Sequence, residues 1–137
     1  MNATPRTPAR SLVLDSEGLA GAVRRDRLIS EWIATAHRND MTVLTSAATL
    51  VEVVHPKIKR PALEWTLSRI VVEPVTDQVA RTACALLSGA GQHGHKHAID
   101  AMLCATALNA EAPAVILTSD PDDLRALCAG RAAIIKL

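Results

Sequence analysis

Ser11-Leu12-Val13-Leu14-Asp15-Ser16-Glu17-Gly18-Leu19 is the stretch on which the fold turns. Its first four residues are a short, unbroken apolar run that stops at a carboxylate, and a segment with helical character follows. A run of this kind, too short for a helix and not alternating, reads as a strand buried on both faces, as in a parallel sheet. The same arrangement recurs at Ala114–Thr118 (AVILT), which is followed by Ser119, Asp120 and Pro121. Between the two, Met41–Leu44 (MTVL) reads as a strand, and Val71–Val75 (VVEPV) as a short one that Pro74 confines to a sheet edge or a strand end. Ala133–Ile135 supplies a last strand.

The intervening segments Ser16–Val23, Leu28–His37, Ser46–Val54, Ala62–Ile70, Asp77–Ser88, Ile99–Ala110 and Pro121–Cys128 read as helices. Ser46 stands at an N-cap position. His55-Pro56 ends its helix, because proline disfavours helical geometry in the residue before it. Gly89–His97 reads as a loop. Short apolar strands alternating with longer helices predict parallel pairing with helices on both faces of the sheet. The expected fold class is therefore α/β: a three-layer α/β/α sandwich with a central, mostly parallel sheet, in one domain over residues 11–137. Residues 1–10, with two prolines and two arginines, read as a mobile leader without the apolar core of a signal peptide.

Composition removes several functions. The chain has 137 residues, 15 Lys and Arg against 14 Asp and Glu, and a net charge of +1. That balance excludes a polybasic binder held to nucleic acid by excess charge. Phe and Tyr are absent, which excludes sheets that stack bases on those rings. No apolar stretch is long enough for a membrane span. Cys84, Cys104 and Cys128 are odd in number and never spaced C-x-x-C. They read as buried reduced thiols of a cytoplasmic protein, not as a disulfide scaffold or a thiolate zinc site.

Four acids stand where fold physics alone would not place them. Asp15 and Asp120 follow apolar strands, and open parallel sheets bind ligands just beyond the carboxyl ends of their strands. Glu52 is the one charged residue in the run Leu50–Val54. Asp100 is the one charged residue from Ala98 to Ala110, in a helix apolar nearly all round. An isolated buried carboxylate costs several kcal/mol unless it is paired or metal-bound. Each has a plainer reading. Asp15 and Asp120 suit N-caps, Asp100 suits the first turn of its helix, and Glu52 suits a solvent-facing edge. Together, however, four acids on separate elements imply mutual repulsion that a divalent cation relieves. All-oxygen donors suit Mg²⁺, with Mn²⁺ as a substitute, and such ions support hydrolysis of phosphodiesters by activated water.

At these residues the sequence resembles a PIN-domain ribonuclease, specifically a toxin of the VapC type from bacterial toxin–antitoxin pairs. The matching pieces are LVLDSEGL around Asp15, TSAATLVEVV around Glu52, KHAIDAMLCATAL around Asp100 and VILTSDPDDLRAL around Asp120. The resemblance implies a Mg²⁺-dependent endoribonuclease with Asp15, Glu52, Asp100 and Asp120 as catalytic and metal-binding residues. It also implies an RNA substrate, a small cognate antitoxin as partner, and a homodimer. Members of the family carry the last acid at the position of Asp120 or at that of Asp123. This chain has both; Asp120 is preferred because it lies nearer the strand end, with Asp123 in reserve. Asp122 reads as a solvated helix-start residue, and Ser16, Thr118 and Ser119 as caps or ligands of a metal's water shell.

Other features are less specific. Gln92–His97 (QHGHKH) offers imidazoles to a transition metal but lacks a thiolate or a second cluster, so His93, His95 and His97 read as loop residues near the rim of the site. Arg24, Arg25, Lys57, Lys59 and Arg60 are the concentrated positive charges, either solvated or arranged to hold an RNA backbone. Trp32 and Trp65 read as core or interface anchors. Leu28–His37 and Ala62–Ile70 are amphipathic and suit a dimer or antitoxin groove as well as internal packing. Two other functions are compatible with the fold. One is a catalytically silent PIN-fold module that binds protein or RNA. The other is a phosphatase or receiver-like domain built on Asp15, which the chain answers poorly, having Glu17 where a second aspartate is needed.

Overall fold

A computed structural model describes residues 7–137. Most of the expected leader at residues 1–10 lies outside them. Of that segment, Arg10 is tied to Glu111 by an exposed ion pair of 3.1 Å. The elements run β1 (Ser11–Leu14), α1 (Ser16–Val23), α2 (Arg27–Arg38), β2 (Thr42–Ser46), α3 (Ala47–Val53), α4 (Arg60–Leu67), β3 (Val71–Glu73), α5 (Asp77–Ala90), α6 (Gly94–Asn109), β4 (Ala114–Thr118), α7 (Pro121–Cys128) and β5 (Ala133–Lys136). The sheet is wholly parallel in the order β3-β2-β1-β4-β5. β3 sits at the edge and stops before Pro74, which could not donate to a ladder.

All four residues of β1 are buried, as a central strand requires. Its side chains alternate between two cores. Val13 pairs with Leu44 and Ile116 across the sheet and joins buried residues of α5, α6 and α7. Leu12 and Leu14 join Val43, Leu117 and Ala36 on the other face, against Trp32 and Ile33 of α2. With no Phe or Tyr, both cores are built mainly from aliphatic side chains, the fully buried Leu, Ile and Val contributing about 2 kcal/mol each. This is the three-layer α/β/α arrangement expected.

Some boundaries differ from the sequence reading. α6 begins at Gly94, so the loop expected over Gly89–His97 is only a short connection after Gly91, which closes α5 in the left-handed region (φ +65°). Cys104 and Cys128 are buried free thiols with sulfurs 2.7 Å apart, bridging α6 to α7. Their mutual hydrogen bond and burial push the Cys104 thiol up, and the same bond lowers that of Cys128. Cys84, expected to be buried, is exposed, because α5 is amphipathic and turns that residue outward.

Candidate metal site and adjoining groove

In this sheet the chain moves outward from β1 through β2 to β3, then returns to build β4 and β5 on the other side. The reversal falls between β1 and β4, and the crevice beyond their carboxyl ends is where such sheets bind ligands. Asp15 lies there, 7% exposed. Its backbone N–H donates to the Leu117 carbonyl (3.2 Å), carrying the β1–β4 ladder up to the crevice. Its Oδ1 accepts from the Gly18 N–H (2.8 Å), capping α1, and its Oδ2 accepts from the Ser119 N–H (3.3 Å) on the loop after β4. Asp15 thus fulfils its capping reading and lines the crevice as well.

Asp100, half-buried in α6, is where the acids meet. Its carboxyl is pushed up to about 6, first by burial and then by the negative charges of Glu52, Asp123, Asp120 and Asp15. Glu52 is an exposed residue near the end of α3, and the sequence reading of it as a solvent-facing edge also holds. Asp120 is exposed and makes no side-chain cap to α7. The charge of Asp123 beside it raises its carboxyl above the ordinary value. Its backbone N–H donates to Thr118 Oγ1 (2.9 Å), so that hydroxyl serves the turn. Asp123, in the first turn of α7, is half-buried and groups with Asp100 and His97, one ligand atom from each lying within 4.8 Å of the others. Position in the sequence favoured Asp120; the geometry gives Asp123 at least an equal claim. Asp122 pairs with Arg125 on the surface (3.5 Å).

Among the described residues, none of Asp15, Glu52, Asp100, Asp120 and Asp123 forms an ion pair with a lysine or arginine. The donor set therefore fits a divalent cation: oxygen ligands in excess, crowded enough to raise a carboxyl, with no fixed positive charge to relieve them. The sequence pattern places His97 in a loop. It lies inside α6 with its Nδ1 3.8 Å from Asp123 Oδ2, and its side chain is 14% exposed. The signal available in the sequence was its spacing, three residues before Asp100, which puts both on one helical face once the helix extends that far.

A cavity of about 760 Å³ opens beside the acids, with Ser16, Glu17 and Glu52 in its wall. Arg24, Arg25, Lys57 and Lys59 also line it, together with His55, which the sequence marks only as a helix end. Arg60 opens α4 and is exposed, outside that lining. The Arg25 guanidinium stacks on Trp65 at 4.8 Å and that of Arg69 lies 5.6 Å from the same ring. Trp65 is half exposed, whereas Trp32 packs on the core. No helix among the described residues is long and apolar enough to cross a membrane.

The chain matches the family model of the PIN domain over residues 12–129. No curated protein sequence matches it. Its fold is similar to VapBC2 from Rickettsia felis, solved bound to a DNA fragment from their promoter (TM-score 0.69, 14% identity, 93% of this chain and 98% of that one). It is also similar to FitAcB from Neisseria gonorrhoeae (TM-score 0.62, 18% identity, 90% and 96%). A third similar structure is FitAB bound to an IR36 DNA fragment (TM-score 0.59, 20% identity, 91% and 94%).

Proposed function

The chain belongs to the PIN-domain family, and from that premise we propose that it is a divalent-metal-dependent endoribonuclease, the toxin of a toxin–antitoxin pair. The observation that carries this reading is the crowding of Asp100 by four other carboxylates at the sheet's switch point, with no lysine or arginine among the described residues paired to any of them. Asp15, Glu52, Asp100 and Asp123 would hold Mg²⁺ or Mn²⁺, with Asp120 at the rim as the alternative to Asp123. When bound, the cation supplies acidified water and stabilisation of charge on the reacting phosphodiester.

The chain's own residues do the rest. Asp15 is locked by two backbone N–H donors, so its oxygens are pre-positioned and do not reorganise when a ligand arrives. Glu52 stands on the boundary between the acids and the cavity. Arg24, Arg25, Lys57 and Lys59 face a backbone lying in that cavity, and Arg60 extends their charge at its edge. A strand seated there has its phosphates on the basic wall and one phosphodiester over the acids. Selection would rest on RNA shape and backbone contacts, since Trp65 is already occupied by two guanidinium groups. VapBC2 and FitAB support a small antitoxin as partner; a homodimer and a cytoplasmic location belong to the same reading.

The test is cleavage of structured RNA by purified protein with added Mg²⁺ or Mn²⁺. Cleavage should stop with EDTA and be lost in Asp15→Asn and Asp100→Asn. Metal-dependent cleavage that survives both substitutions would overturn the site, and failure to cut any of a varied RNA set would return the chain to a binding module.

A further inference from the structure

We propose that His97 is a ligand of the metal site, and that its nitrogen makes the site select Mn²⁺ and other transition-metal ions over Mg²⁺. The inference rests on the metal-binding reading above and refines its donor set. An acid-only cluster has oxygen donors alone. Here one ligand atom each from His97, Asp100 and Asp123 lies within 4.8 Å of the others. Bonds of about 2.1–2.2 Å put opposite ligands of a cation roughly 4.3 Å apart and adjacent ones about 3 Å, so the three atoms would draw in from separations of at most 4.8 Å to seat one ion among them.

The three come from two helices whose placement is independent of one another in sequence. His97 and Asp100 are three residues apart on α6, and Asp123 is in the first turn of α7. The backbone of α6 departs from helical geometry at His97 alone (φ −117°, ψ 18°), where a first turn from Gly94 joins the regular helix. The neighbouring His93 and His95 are exposed and lie outside the group, their rings 5.8 Å apart. His97 is the one imidazole of the run brought to the acids.

A protonated His97 could instead act as a plain countercharge to Asp123, from which its Nδ1 stands 3.8 Å away. The two roles differ in what they do to metals. A countercharge competes with every cation, whereas a neutral imidazole nitrogen is a good donor to Mn²⁺, Fe²⁺, Co²⁺ or Zn²⁺ and a poor one to Mg²⁺, which prefers oxygen.

Mn²⁺ binding, followed by its EPR signal with Mg²⁺ as competitor, separates them. Wild type should bind Mn²⁺ on the order of ten-fold or more tighter than Mg²⁺, and pulsed EPR of the bound Mn²⁺ should show coupling to a directly bonded ¹⁴N. His97→Ala and His97→Gln should lose that coupling and most of the preference, with Mg²⁺ affinity unchanged or improved. Mn²⁺ bound by wild type without ¹⁴N coupling overturns the histidine ligand, and that reading needs no variant to fold. Mn²⁺ binding lost in Asp100→Asn but unchanged in His97→Ala overturns the histidine and keeps the metal site. No binding of either ion by wild type overturns both.

Discussion

The junctions β1–α1 and β4–α7 are near copies in sequence, each an apolar strand running into a carboxylate and then a helix, and they flank the same crevice. They are built differently. At β1–α1 the acid follows the strand at once, is buried, caps its helix and reaches across to Ser119. At β4–α7 one residue, Ser119, intervenes, and Asp120 stays exposed without capping anything, while Asp123, one turn on, is the acid that meets Asp100 and His97. One junction joins structure and site in a single residue; the other divides them. A carboxylate's place after a strand does not settle its role. The hydrogen bonds available to it do.

That contrast is open to breakage. Asp15→Ala should give the largest effect, with cleavage down by 10²-fold or more, in line with several kcal/mol of metal-assisted stabilisation. It should also lower stability by about 1–2 kcal/mol, because the Gly18 and Ser119 N–H groups lose their acceptor. Asp15→Asn keeps the Gly18 cap through Oδ1 but turns an amide NH₂ toward the Ser119 N–H, so denaturation should show a smaller loss than in Asp15→Ala while activity still falls. If both variants are equally unstable, capping and charge have not been separated. Asp123→Asn should then cost about ten-fold more cleavage than Asp120→Asn, with neither lowering the melting temperature. The reverse order in kinetics would restore Asp120 to the site.

A smaller effect is expected at the basic wall. Lys57→Ala and Arg24→Ala should each weaken RNA binding several-fold and reduce the slope of log affinity against log salt by about 0.7 per lost phosphate contact. Unchanged slopes would leave those residues as solvated surface. The smallest effect is on stability at Asp100. Its carboxyl is raised from 3.8 to about 6, so the folded state disfavours the ionised form. Ionisation therefore destabilises the metal-free protein above about pH 6, and that penalty vanishes below about pH 4, where the group is neutral folded or unfolded. Asp100→Asn should raise the melting temperature in EDTA by a few degrees at pH 8, and the gain should shrink as the pH falls through 6. Thermal melts at the two pH values check this, and a drop at pH 8 would contradict it.

Much of the architecture was legible because the signals are local. SLVL and AVILT are buried strands by length and continuity, Ser46 caps α3 as its position demands, and Pro74 keeps β3 at an edge. The misreadings were equally physical. Gly91, Gly94 and three histidines resemble a loop, yet packing of α6 on α5 and α7 extends the helix back to Gly94. The exposure of Cys84 depends on which side of α5 faces the sheet, and the stacking of Arg25 on Trp65 on how the turn after α1 lies against α4.

The sequence by itself determined the strands, the helices between them and the acids at their ends, since hydrophobic period, caps and prolines act over a few residues. Only the tertiary structure decided that Asp123 joins His97 and Asp100, that Asp120 stays exposed at the rim, and that Lys57 and Arg24 line one cavity. Those distances depend on how α6 packs on α7 and how α1 faces α3 and α4. They are set by contacts between segments tens of residues apart, for which the chain carries no local mark.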